Sequence, residues 1–122
     1  MVSSYKAVEV REYIDTAGKN PFGRWFDDLD SIAAAKVTVA VEKIAKGNTS
    51  NVEPVGEGVS EYKLDFGPGY RIYFGKDGET LVILVGGGTK KRQAADIKKA
   101  RAVWGDYKQR KRDELKKTKK DR

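Results

Sequence analysis

Six residues between positions 59 and 97 have the types and spacing to handle a phosphate: Lys63, Arg71, Tyr73 and the run Lys90, Lys91 and Arg92. Lys63 lies between Tyr62 and Leu64, and Arg71 and Tyr73 alternate with Tyr70, Ile72 and Phe74. On extended chain, the cations and the phenol therefore share one face and the apolar residues take the other. If Gly67, Pro68 and Gly69 close a three-residue hairpin loop, Phe66 pairs with Tyr70, Leu64 with Ile72, Asp65 with Arg71 and Lys63 with Tyr73. Lys63 and Arg71 are then diagonal neighbours. An arginine can grip two phosphate oxygens at once, and the same charges would stabilise a pentacovalent phosphorus. A lysine crowded by other cations has a lowered pKa and can act as general base toward a ribose 2′-hydroxyl. A purely structural reading competes. Arg71 opposite Asp65 is also a cross-strand ion pair worth about 0.2–1 kcal/mol, and Tyr73 can simply pack with its hydroxyl exposed. That explanation is weakest for Lys90 to Arg92, because cations are electrostatically unfavourable at a helix start.

Most other chemistries lack their residues. The chain has no histidine and no cysteine, which removes the common nucleophilic triads, thiolate chemistry and the usual transition-metal ligands. Its carboxylates show no spacing of a glycosidase pair or a calcium loop. Gly86, Gly87 and Gly88 do not make a dinucleotide fingerprint, and GGGTKK is not a phosphate-binding P-loop. Neither a metal nor a cofactor is expected. The net charge of +7 comes mainly from 108–122, which holds nine Lys/Arg against three Asp/Glu, while the other 107 residues hold sixteen against fifteen. That basic tail reads first as a solvated or frayed helix end, and second as a source of salt-dependent affinity for RNA. No leader and no apolar run of membrane-spanning length is apparent, so a cytoplasmic protein without membrane association is expected.

The elements that must position these residues follow from apolar spacing and capping. A loose alternation predicts a first strand over 5–13. Asn20 and Pro21 start a short helix with the stripe Phe22, Trp25, Phe26 and Leu29, and Asp30–Ser31 caps a second, in which Ile32, Ala35, Val39, Val41 and Ile44 are expected to face inward. The stretch 48–58 reads as a connection with a short edge pairing at most. Three strands follow, the last being the apolar run Leu81 to Val85, which the three glycines are expected to end. Thr89 is a candidate cap for a final helix with the stripe Ile97, Ala100, Val103, Trp104 and Tyr107.

The order of elements, with VSEYKLDFGPGYRIYF and GGGTKKRQAADIKKA, resembles the RelE/ParE superfamily of bacterial toxins, and most closely its HigB-like "addiction module killer" branch. The resemblance covers about 8–107 and includes the pattern Gly87, Gly88, Lys90, Gln93, Asp96, Ile97. It implies an α+β fold of order β-α-α-β-β-β-α, in which an antiparallel sheet carries the helical hairpin and a C-terminal helix. One toxin domain would occupy 1–107, with the basic tail at 108–122. It also implies a neutralising antitoxin, HigA-like with a helix-turn-helix domain and so linked to DNA only indirectly. The implied activity is ribosome-dependent cleavage of mRNA by attack of the 2′-hydroxyl on the adjacent phosphate. Carried over by position, Arg71 matches the phosphate-binding arginine, Lys63 the basic residue of the preceding strand and Lys90 the lysine after the last strand. Tyr73, Lys91 and Arg92 would assist RNA binding. Related toxins often carry an arginine or histidine near the end of the last strand, which 81–88 lacks. Their C-terminal catalytic tyrosine is matched only by Tyr107, which reads as core. Inhibition of DNA gyrase, as in ParE, and an inactive binding module are the alternatives, because one fold serves several activities.

Overall fold

The structure is a computed structural model that describes residues 8–48 and 50–120, with the side chains of 119 and 120 left aside. Its elements are β1 (Glu9–Glu12), α1 (Pro21–Asp27), α2 (Ser31–Ala45), β2 (Val52–Gly56), β3 (Val59–Lys63), β4 (Tyr70–Asp77), β5 (Leu81–Thr89), a single 3-10 turn (Lys90–Arg92) and α3 (Gln93–Lys120). The mixed α+β class agrees with the expectation. The order gains one strand, and the expected residues Tyr5 and Ala7 of the first strand lie outside the described ones.

The five strands form one sheet in the order β1-β5-β4-β3-β2. It is not wholly antiparallel, because β1 runs parallel to β5. The helical hairpin links β1 at one edge of the sheet to β2 at the other. Its caps form as expected: Asn20 Oδ1 accepts from the Gly23 amide, and Asp30 Oδ1 from the Ala33 amide, each at 2.9 Å. Helices cover both faces of the sheet. Phe22, Val37, Ala40 and Ile44 of the hairpin bury Tyr62, Leu64, Ile72, Phe74, Val82 and Leu84. On the reverse face Ala100 and Trp104 of α3 pack on Tyr13, Val59, Tyr73, Ile83 and Val85.

Four expectations are corrected. Residues 52–56 form a full edge strand, where Pro54 is tolerated because an edge leaves one side of the ladder unpaired. The three glycines do not end β5: Gly86, Gly87 and Gly88 pair with Tyr73, Ile72 and Arg71, the long partner strand overriding their weak strand preference. The β3–β4 register places Lys63 opposite Arg71, Tyr62 opposite Ile72 and Glu61 opposite Tyr73. A β-turn closed by the Gly69 amide on the Phe66 carbonyl shortens the ladder, and the Leu64 amide bonds the Tyr70 carbonyl. The shift is two residues, so each side chain keeps its face. Finally, α2 buries Ala33, Val37, Ala40 and Ile44, whereas Ile32 is 65% and Val39 48% exposed. The sheet face under α2 is already filled by large side chains, so the helix turns its smaller residues inward.

Candidate functional site

The backbones that carry the expected cations come together where β4 begins. Lys63 and Arg71 are direct cross-strand partners. The chain leaves β5 so that the Lys90 amide donates to the Gly69 carbonyl at 2.8 Å. Gly69 has φ +77°, and a Cβ there would lie 3.2 Å from Lys90 Cβ and 3.4 Å from Arg71 Nη1. A glycine is required both for that backbone angle and for the close approach of the two basic residues. Lys90, Lys91 and Arg92 are all exposed on the turn that follows.

Arg71 is not a free surface cation. It is 7% exposed, and its Nη1 donates to the Gly69 and Tyr70 carbonyls at 3.1 and 3.2 Å. Its Nε lies 3.7 Å from Glu61 Oε1 and has no hydrogen-bond partner among the described residues. Glu61 is fully buried, and Gln93 Nε2 donates to both of its oxygens at 2.9 and 2.8 Å. A buried carboxylate persists only when paired and hydrogen-bonded. Here Arg71 supplies the charge and Gln93 the bonds. The expected Asp65–Arg71 ion pair is therefore replaced by Glu61–Arg71, four residues earlier on the same face. Arg71 is held in one orientation as a result, which is what a phosphate ligand needs, but its charge is already answered from within by Glu61.

Tyr73 departs furthest from expectation. It is fully buried under α3, and its hydroxyl has no hydrogen-bond partner among the described residues. Burial first, and then the Glu61 carboxylate, push its phenol well above the ordinary value. It belongs to the core and does not reach an accessible phosphate. Lys63 extends the other way, its Nζ 3.0 Å from Glu53 Oε2 on the edge strand, in a largely exposed pair. It is thus beside a carboxylate and not crowded by cations. Tyr107, loosely matched to a catalytic tyrosine, stacks on Trp104 and donates to Asp77 at the far end of the sheet.

The structure adds residues that sequence reasoning missed. Phe66 and Tyr70 stack across the loop with centroids 6.3 Å apart, and Lys36 of α2 stands over the Phe66 ring at 5.2 Å. A groove of about 630 Å³ beside them is lined by Lys36, Lys63, Leu64 and Phe66 together with Ile32 and Val39. Glu61 was legible only as the neighbour of Lys63 on one strand face. Gln93 and Asp96 stood in the quoted pattern without a role. Gln93 now holds Glu61, and Asp96 lies over Gly88, where a Cβ would come within 1.9 Å of its Oδ2. The groove and its aromatic rings open on the hairpin side of the sheet, whereas the Arg71 side chain lies on the opposite face with Glu61 and Gln93.

No family model and no solved structure matches the chain. An uncharacterized protein of Haemophilus influenzae (strain ATCC 51907 / DSM 11121 / KW20 / Rd) is 36% identical over 83 residues, covering 67% of this chain and 84% of that protein. The chain belongs to the same family as that Haemophilus protein. No helix among the described residues is long and apolar enough to cross a membrane.

Proposed function

We propose that the chain is a RelE/ParE-like toxin of a type II toxin–antitoxin pair that cleaves mRNA on the ribosome. The observation that carries this reading is the convergence of the backbones of Lys63, Arg71 and Lys90 at the start of β4, with Gly69 closing the approach between the last two. In this mechanism Arg71, fixed by Glu61 and two carbonyls, offers its remaining donors to the scissile phosphate. Lys63 and Lys90 neutralise charge as the 2′-oxygen attacks and the 5′-oxygen leaves. In net the proton of the attacking 2′-hydroxyl passes to the leaving 5′-oxygen, so the products are a cyclic phosphate and a free 5′-hydroxyl and no water is consumed. Lys91 and Arg92 hold the flanking phosphates, and Phe66 offers a base a stacking face. A HigA-like antitoxin would neutralise the toxin.

A second reading is a binding module without catalysis, gyrase being one target. The pairing of Arg71 with a buried carboxylate favours it, because a cation already answered contributes less to a transition state.

Induction of the chain alone in a bacterial host separates the two, with labelled methionine and thymidine followed together. Ribosome-dependent cleavage predicts that methionine incorporation stops first, and that Lys63→Ala and Lys90→Ala relieve the arrest while the protein still accumulates. Early loss of thymidine incorporation would move the assignment to gyrase. Arg71→Ala is a poor first probe, since it strands the Glu61 carboxylate in the core.

A further inference from the structure

The basic stretch that begins at Lys108 is no frayed end: α3 runs unbroken to Lys120, about 42 Å at 1.5 Å per residue. The base of this extension is latched to the body. Arg110 donates to the Ile14 carbonyl at 2.8 Å and to the Tyr13 hydroxyl, while Lys111 pairs with Asp77. Beyond that point every described side chain is exposed. Lys108, Arg112 and Lys116 follow at four-residue steps and share one side of the helix, about 6 Å apart. At about 100° per residue, Asp113 and Glu114 fall roughly 100° and 160° from the centre of that stripe. Lys76 of the β4–β5 hairpin joins Lys108 and Arg112 around a cavity of about 270 Å³ at the foot of the stripe.

A helix that is polar all round draws little stability from the core and presents its charges to solvent. Leu115 is the lone apolar residue among 108–118, too little to seat the helix in a membrane surface or to zip it to another helix. What remains is a polyanion with charges at regular intervals. We propose that Lys76, Lys108, Arg112 and Lys116 form a second, non-catalytic docking stripe for the phosphate backbone of a nucleic acid. Its β4 member, Lys76, lies five residues along the strand from Arg71, about 17 Å away at 3.4 Å per residue. It is therefore independent of the cleavage reading and stands or falls separately.

The test compares the full chain with Lys108→Gln/Arg112→Gln/Lys116→Gln, all exposed positions where glutamine keeps the helix. Binding to a short unstructured RNA, a duplex DNA and anionic phospholipid vesicles is measured between roughly 50 and 200 mM salt. The stripe predicts that the triple variant loses about 0.7 in salt slope per removed contact, about 2 in all on RNA, with affinity at the lower salt falling about tenfold or more. Lys117→Gln, on the other side of the helix, should leave the slope unchanged. A larger loss on RNA than on DNA identifies the backbone as single-stranded RNA, and the reverse identifies a duplex. An unchanged slope in the triple variant, an equal loss in Lys117→Gln, or stripe-dependent binding to vesicles in place of nucleic acid would overturn the proposal.

Discussion

At the residue scale, the molecule turns on Arg71 and Glu61. Removing one member of a buried pair leaves the other charged and unanswered, at a cost of about 3–5 kcal/mol, whereas replacing both by apolar groups is far milder. Urea denaturation should therefore show Arg71→Met strongly destabilised and Arg71→Met/Glu61→Leu restored by a kilocalorie or more per mole. A double variant as unstable as the sum of its singles would mean that the two side chains do not depend on each other. Tyr73 gives a second prediction. Its buried hydroxyl has no hydrogen-bond partner among the described residues, so Tyr73→Phe should keep full growth inhibition and gain up to ~1 kcal/mol in the same assay; lost toxicity would return Tyr73 to the site. Alternation along the strands showed which face these residues share. It could not show that α3 covers that face over Tyr73 and leaves it open at Lys90, because coverage depends on where a helix more than 20 positions later comes to lie.

At the element scale, α3 is fastened by two polar latches as well as by Trp104. Tyr107 and Lys111 both reach Asp77, and Tyr13 bonds Asp106. Burial, and then the bond to Asp77, push the Tyr107 phenol up to about 12 from 10.0. The unfolded phenol ionises first, so this stabilisation is complete below pH 10 and is lost as pH rises from there to about 12. Asp77 behaves in the opposite sense. The Lys111 bond, and then the Tyr107 bond, hold its carboxyl below the usual 3.8, so its contribution is present above that pH and lost as pH falls below it. Thermal denaturation of Asp77→Asn should thus show a lower Tm at neutral pH and a flatter decline at both extremes; a curve parallel to the parent at all pH values would refute the latch. The two helix caps and the apolar stripe of α3 were legible because each depends on neighbours within a turn or two. The inward face of α2 was not. The expected stripe is the more hydrophobic of the two, and the bulk of Phe22, Tyr62 and Phe74 packed against the helix instead selects the one with alanines.

At the scale of the whole molecule, the sheet separates two basic regions, one around Gly69 and Lys90 and one along the outer half of α3. The excess of positive charge, read from sequence as a tail on a nearly neutral body, is a helical extension pointing away from the first region. Its continuity was illegible because a run of Lys and Arg without apolar period carries no signal for helix beyond local preference. The central claim concerns the first region, and purified components test it most directly. The chain is mixed with ribosomes programmed with a defined mRNA, and the new RNA ends are mapped. Ribosome-dependent cleavage predicts ends at the decoding position only when ribosomes are present, with a cyclic phosphate on the upstream fragment, and loses them in Lys63→Ala and Lys90→Ala. Intact mRNA with the parent chain, or cleavage that persists undiminished in both variants, would contradict it.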